Sequence, residues 1–164
     1  ENPQAGNEGP ITYAFDNNEV TFWHSNYSPY QALPATVEID MKEVHTINQF
    51  DYLPRQDGNT NGQITKYELY IKENAADEYQ KVSEGELAAN ASLKKITFDA
   101  ANARYIKFVA LEGTGNGGKS FACASEFTVR QIDSKAELRK VVNLAANYEK
   151  EYYTTASWND FETA

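Results

Sequence analysis

The sequence predicts an all-β fold, either a sandwich or a barrel, followed by a short helical tail. Three observations predict it: short runs up to Ile132 alternate apolar and polar residues, clusters of Gly and Asn separate these runs, and the apolar spacing lengthens after Asp133. Successive side chains of a strand point to opposite faces of a sheet, so alternation is typical of half-buried antiparallel strands. Many short strands separated by turn residues are typical of β-sandwiches and β-barrels.

The predicted strands follow the alternating runs in chain order. These runs are Val37–Met41, Tyr67–Ile71, Ile96–Phe98, Ile106–Phe108 and Phe127–Val129. The predicted turns between them are Asn17–Asn18, Asp57–Gly62 and Gly113–Gly118. Gly and Asn suit these positions because both accept backbone conformations that most residues avoid.

A different pattern predicts the helical tail. Ser134 and Glu137 have the spacing of a capping box, in which two side chains satisfy free amides in the first turn of a helix. Apolar residues then recur at helical spacing, at Leu138, Val141, Leu144 or Ala145, Tyr148 and Tyr152. We therefore expect a β-domain over residues 1–133 and a helical linker or truncated helical module over residues 134–164.

Composition disfavours several classes of partner and site. The 164 residues carry 15 Lys plus Arg against 24 Asp plus Glu, a formal charge of −9. Nucleic acids and anionic membranes are bound largely through Lys and Arg, so neither partner is expected. No run approaches the roughly 18 apolar residues of a membrane-spanning helix. The single cysteine, Cys123, rules out an internal disulfide and a multi-cysteine metal site, and its apolar neighbours predict that it is buried.

Two groups of polar residues are candidates for a functional site. The first is the oxygen-rich turn of Asp16, Asn18, Glu19 and Thr21. Its spacing suits a hard cation such as calcium, which takes about six to eight oxygen ligands. A turn without a metal has the same composition, because Asp and Asn also bond their own backbone.

The second group is His24 with Arg55, Asn59 and Asn61. Each has an ordinary interpretation, since a histidine beside a tryptophan is commonly structural and an arginine that opens a polar loop is commonly exposed. The glycines of this loop suit either a tight turn or the close approach of a ligand.

Together these residues belong to an ordered set of motifs that resembles a known family. The matching segments are Phe15–Asn18, Thr21–Ser25, Leu33–Asp40, Tyr52–Gly62, Ala103–Phe108 and Ala124–Phe127. Their order resembles the coagulation factor 5/8 type C, or discoidin, domain, and the loop Tyr52–Gly62 is similar to that of its bacterial sugar-binding branch, carbohydrate-binding module family 32. The resemblance runs from about Ala14 to Arg130. It implies an antiparallel jelly-roll β-sandwich of the galactose-binding type, in agreement with the alternating runs.

The resemblance also implies a structural calcium ion. Its ligands, carried over by motif position, would be the side chains of Asp16, Thr21 and Glu126 and the carbonyl groups of Ala14, Asn18 and Ser125. The family usually has Gly where Asn17 stands, and Asn tolerates a positive φ better than most residues. The ion is expected to hold loops together and to take no part in catalysis.

A sugar site in loops at one end of the sandwich is the second implication. Three residues are expected to hydrogen-bond sugar hydroxyls: His24, Arg55 and Asn61. Tyr27 and Phe121 are candidates for the aromatic ring that packs on the sugar. Some family members have Trp where Tyr27 stands, and Tyr30 is an alternative for this role.

The tail, from Ala136 to Trp158, resembles the start of the helical FIVAR module, a spacer of large bacterial surface proteins. A simple linker helix is the alternative. The chain starts at Glu1 without Met or a leader, so we expect a piece excised from a longer protein.

These expectations predict a non-catalytic carbohydrate-binding module of a larger glycoside hydrolase that is secreted, periplasmic or on a bacterial cell surface. We expect a monomer that binds terminal galactose-type, N-acetylgalactosamine or N-acetylglucosamine sugars. A discoidin-type adhesion module that binds a protein partner is the alternative. A glycosidase is disfavoured, because hydrolysis needs two carboxylates about 5–9.5 Å apart and Asp57 has no evident partner.

Overall fold

The computed structural model describes residues 8–132, which form eight strands and one short 3-10 helix. The strands are β1 (Glu8–Gly9), β2 (Phe22–His24), β3 (Ala35–Leu53), β4 (Ile64–Lys72), β5 (Gln80–Glu86), β6 (Lys94–Gly113), β7 (Cys123–Ala124) and β8 (Glu126–Gln131). The 3-10 helix spans Ile11–Phe15. The predicted helical tail, with its FIVAR-like segment, lies outside the described residues. Within residues 8–132, no helix has the length and apolar character needed to cross a bilayer.

Hydrogen bonds connect the strands into a three-stranded sheet, with the order β1-β2-β7, and a five-stranded sheet, with the order β5-β4-β6-β3-β8. The two long strands of the five-stranded sheet, β3 and β6, join the two layers of a sandwich. The register of β3 against β6 shifts between Asp40 and His45, where Lys42 has a φ of 71°. On one side of this irregularity, residues 105–113 of β6 pair with β4. On its other side, residues 47–53 of β3 pair with β8. Every strand pair is antiparallel among residues 8–132, apart from β1 with β2.

Aromatic rings fill the space between the layers. Phe50 pairs in register with Ile96, yet its ring stacks on Phe108 at a centroid distance of 5.3 Å. This contact therefore crosses from one layer to the other. Phe127 and Tyr67 also lie against Phe108, at 5.2 and 5.9 Å. The predicted β-sandwich is confirmed.

Two of the alternating runs, Ile96–Phe98 and Ile106–Phe108, belong to one long strand, the 20-residue β6. Between the pairs Ile47–Ala101 and Gln49–Thr97, three residues of β6 lie opposite one residue of β3. This bulge interrupts the alternation without ending the strand.

Three loops meet at one end of the sandwich, which we call the loop end. They are residues 25–34 after β2, 54–63 after β3 and 114–122 after β6. Ile64, which follows the second loop, pairs with Gly113, which precedes the third. The backbone N–H of Ser25 donates to the carbonyl of Ala122 over 2.7 Å, and this bond joins the first loop to the third.

Candidate functional site

Strand β2 brings His24 and Arg55 together at the loop end. Phe22 and His24 are both buried and, two residues apart in a strand, lie on one face. The guanidinium of Arg55 lies over the Phe22 ring, 4.2 Å from its centroid. His24 lies opposite Cys123 in register, and Nη1 of Arg55 is 4.0 Å from the Cys123 Sγ.

Asp57 holds Arg55 in place. The Arg55 Nε and Nη2 donate to the two carboxylate oxygens of Asp57 over 2.7 and 2.5 Å. Arg55 is only 7% exposed, so it is not the solubilising surface arginine of the ordinary interpretation. Burial alone would lower the pKa of Arg55, but the Asp57 carboxylate and the Cys123 sulfur together raise it. The same guanidinium lowers the pKa of Asp57, so both groups are charged at neutral pH.

Arg55 and Asn61 both keep hydrogen-bonding capacity for a ligand. A guanidinium has five N–H groups. Four of them face described residues, two toward Asp57, one toward the Asn61 carbonyl at 3.3 Å and one toward the Cys123 sulfur. The side-chain amide of Asn61 makes no hydrogen bond within residues 8–132. As far as residues 8–132 are concerned, one N–H of Arg55 and the whole side-chain amide of Asn61 are therefore available.

Aromatic rings surround His24. The His24 ring lies 5.2 Å from Tyr27 and 5.1 Å from Phe121, and Tyr30 contacts Phe121 at 5.6 Å. Phe121 is only 6% exposed, whereas Tyr27 and Tyr30 are half-buried. The structure therefore offers more of either tyrosine than of Phe121 to a ligand, and which ring packs on a sugar stays a prediction.

The local structure sets the protonation state of His24. Its Nδ1 lies 2.6 Å from the carbonyl oxygen of Ser25, which can only accept, so Nδ1 carries a proton. Burial lowers the pKa of His24, opposed by the Ser25 bond and by the Glu8 charge. The ring is therefore neutral at pH 7, with Nε2 as the acceptor nitrogen.

Glu8 is a candidate that the sequence analysis missed. β1 pairs in parallel with β2 and places Glu8 opposite Phe22. Burial and a hydrogen bond with the Glu8 carboxylate raise the pKa of Tyr27. The other feature of Glu8 is its Oε1, which is buried without a hydrogen-bond partner in the described part of the chain. Such an acceptor costs free energy unless a ligand donor satisfies it. A two-residue strand has no pattern that the sequence could reveal.

Four of the predicted cation ligands also meet in space: Asp16, Asn18, Thr21 and Glu126. The backbone N–H of Asn18 lies 2.9 Å from Oδ1 of Asp16 and 3.0 Å from Oε1 of Glu126. It therefore bridges residues 16–21 before β2, which we call the opening loop, and the start of β8. The Thr21 hydroxyl donates to Asp16 Oδ2 over 2.7 Å. The carbonyl oxygen of Asn18 accepts from the Thr21 amide, and Ala14 and Ser125 are fully buried beside these segments.

This oxygen-rich cluster fits a hard cation. Burial raises the pKa of Glu126, and the nearby Asp16 carboxylate adds to that rise. Neither carboxylate forms a salt bridge with any residue between 8 and 132. No group of three or more His, Cys, Asp or Glu residues there could hold a metal, so a site must rely on neutral oxygens as well. Carboxylate, hydroxyl and carbonyl oxygens in a flexible arrangement are the ligands that calcium prefers.

Solved structures with the same fold carry sugars. CpGH89CBM32-5 from Clostridium perfringens, solved in complex with GalNAc-β-1,3-galactose, is 42% identical, with a TM-score of 0.71 over 77% of this chain and 87% of that one. The family 32 carbohydrate-binding module of C. perfringens NanJ, in complex with galactose, is 32% identical, with a TM-score of 0.66 over 76% of this chain and 86% of that one.

A curated relative and a family model complete the comparison. Galactose oxidase of Gibberella zeae is 35% identical over 133 residues, which are 80% of this chain and only 19% of that enzyme. The model of the F5/8 type C domain matches residues 1–127, which include every candidate residue of both clusters. This chain therefore belongs to the F5/8 type C domain family.

Proposed function

We propose that this chain is a non-catalytic carbohydrate-binding module whose loop end binds a terminal galactose-type or N-acetylhexosamine sugar. One observation carries the proposal. The Asn61 amide, one N–H of Arg55 and the Glu8 Oε1 have no hydrogen-bond partner among residues 8–132. The charges of Glu8 and Arg55 act on His24, and the carbonyl of Asn61 accepts from Arg55. Sugar hydroxyls both donate and accept, and sugar C–H faces pack on aromatic rings.

Each polar residue has a distinct task in this proposal. Arg55 can only donate, and Asp57 fixes its direction. Glu8 can only accept, and neutral His24 accepts at Nε2 while Ser25 holds its Nδ1. Asn61 can do both, since a side-chain amide has an oxygen and an NH₂ group. Donors and acceptors at fixed positions distinguish the orientation of neighbouring sugar hydroxyls.

The similar structures support this proposal, because they hold galactose and a galactosamine-containing disaccharide on the same fold. A site with few hydrogen bonds is expected to bind with a Kd of about 0.1–1 mM, or about −4 to −5.5 kcal/mol. We infer that the module serves a larger secreted or surface glycoside hydrolase. The chain spans 19% of its curated relative, so domains of this kind occur within much longer proteins. Tethering to such a protein raises the effective concentration at a glycan surface.

We also propose that Asp16, Thr21 and Glu126, with the carbonyl groups of Ala14, Asn18 and Ser125, hold a structural calcium ion. When bound, the ion would supply the positive charge that the two carboxylates lack among their described neighbours. We further propose that the binding module ends near residue 133 and that residues 134–164 form a separate helical linker, as the change of sequence period suggests.

Titration calorimetry tests the sugar site. The chain, with calcium present, is titrated with galactose, N-acetylgalactosamine, N-acetylglucosamine and sialyllactose, and saturable binding in the millimolar range is expected for at least one of the first three. Asn61→Ala should weaken that binding at least tenfold, whereas Asn48→Ala, an exposed position on β3, should not change it. Absence of saturable binding to these sugars and to a broad glycan array would overturn the proposal.

A further inference from the structure

A cleft separate from the cluster around His24 lies behind the loop that follows β2. Its volume is about 280 Å³, and its walls include Trp23, Asn26, Gln31, Pro34 and Thr36. This volume is close to the lower end, about 300 Å³, of the range for small-molecule sites, so the cleft suits one small group or one sugar residue. All of its lining residues are uncharged, which favours a neutral ligand.

The cleft and the aromatic cluster around His24 lie on opposite sides of one hairpin, which is part of the first loop of the loop end. Tyr27 forms an isolated antiparallel bridge with Tyr30, and the N–H of Gln31 donates to the carbonyl of Asn26 over 3.0 Å. Neighbouring side chains of an extended segment point to opposite sides. Tyr27 therefore faces the His24 cluster, whereas Asn26 and Gln31 line the cleft behind it.

Asn26 and Gln31 form a pair of complementary groups. The Asn26 Nδ2 donates to Oε1 of Gln31 over 2.6 Å, which leaves the Asn26 oxygen as an acceptor and the Gln31 nitrogen as a donor. Neither atom has another hydrogen-bond partner within residues 8–132. Exchange of oxygen and nitrogen in both side chains would still leave one acceptor and one donor. An acceptor beside a donor is the complement of a secondary amide, whose N–H donates and whose C=O accepts.

We propose that this cleft is a second glycan site, which binds the acetamido group of an N-acetylhexosamine residue. The acetamido N–H would donate to one side chain of the Asn26–Gln31 pair, and its carbonyl would accept from the other. Trp23 and Pro34 provide apolar surface for the acetyl methyl group. We favour a sugar over a peptide because an acetamido group ends in a methyl, which a small cleft accommodates, whereas a peptide continues on both sides of its amide. The site uses none of the residues proposed to bind sugar at the loop end.

NMR titration of the Arg55→Ala variant tests this site without interference from the loop end. The ¹⁵N-labelled variant is titrated with the methyl glycosides of N-acetylgalactosamine and N-acetylglucosamine, and with methyl galactoside as the sugar that lacks the acetamido group. The side-chain NH₂ signals of Asn26 and Gln31 are expected to shift saturably with at least one N-acetylated sugar and not with methyl galactoside. Gln31→Glu, at an exposed position, keeps the size but removes the donor, so it should weaken binding at least tenfold. Gln80→Ala is the matched control and should leave binding unchanged.

Three outcomes would overturn the inference: no saturable shift of these signals, equal shifts with methyl galactoside, or unchanged binding in Gln31→Glu. A further titration with N-acetylalanine methylamide separates the sources of the amide. Tighter binding of this peptide mimic than of the sugars would assign the cleft to peptide and overturn the glycan site. Failure at the cleft leaves the calorimetric test of the loop end untouched, because that test follows galactose and Asn61.

Discussion

Arg55 shows how its neighbours decide what a residue can do. Asp57 satisfies one edge of the guanidinium, the Phe22 ring covers a face of it, and Cys123 lies beneath Nη1. A buried charge is costly unless it is paired, and this pairing makes the position tolerable. What remains of the guanidinium is one directed donor at the loop end. Its burial and its partner are both needed for that direction.

Replacement of Arg55 by Lys tests this geometry. Lysine keeps the charge but cannot form the two parallel bonds to Asp57, so its ammonium loses the fixed direction. We expect Arg55→Lys and Arg55→Ala each to weaken galactose-type binding at least tenfold in calorimetry. Arg104→Ala, which removes an arginine paired with Asp40 outside the loop end, should retain wild-type affinity. Wild-type affinity in Arg55→Lys would show that charge alone suffices.

The pH dependence of binding tests the state of His24. Burial lowers its pKa below the ordinary value of 6.5, so folding favours the neutral ring. Stability should therefore be constant from pH 8 to about 6.5 and fall as the pH decreases further, since the unfolded state takes up the proton first. Sugar affinity should fall only at a lower pH, where the ring of the folded domain is itself protonated. Calorimetry and urea unfolding between pH 8 and 5 measure both quantities. The His24→Gln variant should no longer show the part of this decrease that His24 causes, whereas His45→Gln should still show it. An affinity that rises below pH 6.5 would contradict a neutral His24 in the sugar site.

At the scale of elements, the loop 54–63 is organised by its own side chains. The N–H of Asn59 donates to Asp57 over 3.2 Å, and the N–H of Asn61 donates to Asn59 over 2.9 Å. Gly62 then has a φ of 87°, and a Cβ there would lie 2.1 Å from the sulfur of Cys123. The loop therefore needs glycine at this position for two reasons, backbone conformation and contact with β7.

Two alanine substitutions in this loop separate the cost of the left-handed backbone conformation from the cost of the steric contact with Cys123. Gly62→Ala should lower the free energy of unfolding by about 2–4 kcal/mol, because it adds a steric clash to the cost of a left-handed conformation. Gly58→Ala has a similar φ of 80° but no atom within 4 Å of the new Cβ, so it should cost only about 1–2 kcal/mol. Urea unfolding measures both values. Equal losses would mean that the Cys123 contact relaxes at no cost.

The opening loop and β8 are a second pair of elements, and calcium removal tests how they are joined. Asn18 already bridges Asp16 and Glu126, and Phe15 contacts Phe127 at 5.9 Å. Calcium at a hundred times its Kd should stabilise the domain by about 2.7 kcal/mol, seen as a higher Tm.

The calcium prediction has a matched control. EDTA and Asp16→Asn should each abolish the rise in Tm, whereas Asp99→Asn, an exposed position on β6, should keep it. A Tm that does not respond to calcium would assign the cluster to hydrogen bonding alone.

At the scale of the whole molecule, β3 and β6 close the sandwich on itself. Each strand contributes to both layers, so the core rings Phe50 and Phe108 are brought face to face by the bend near Lys42. The same bend directs the ends of both strands toward the loop end. The rigidity of the site thus depends on the packing between layers.

Truncation of the central ring tests this dependence. Phe108 is completely buried and contacts rings from both layers, so Phe108→Ala should cost about 3–5 kcal/mol of unfolding free energy. Leu93→Ala, at a side chain that is 44% exposed, should change it by less than about 0.5 kcal/mol. Thermal or urea unfolding distinguishes the two. A loss below about 1 kcal/mol in Phe108→Ala would contradict the central role of this ring.

Local patterns in the sequence predict the features that depend on neighbours along the chain. Alternation in Val37–Met41 and Tyr67–Ile71 indicates strands, because burial of one sheet face selects every second residue. The spacing of Arg55 and Asn61, and the motifs around them, indicated the family and the loop that carries both residues. The burial of Cys123, expected from its apolar flanks, is also found.

The contacts between residues of different strands and loops follow from the fold and not from local patterns. Glu8 reaches the site through a parallel pairing of two short strands, Phe121 is covered by His24 and Tyr30, and Asn26 forms a cleft wall with Gln31. The β6 bulge likewise exists only against its partner strand. Local patterns record which side of an element is buried, whereas register and layer packing depend on contacts between residues far apart in the chain. For that reason the sequence predicts a site in the loops, and the fold determines which groups meet there.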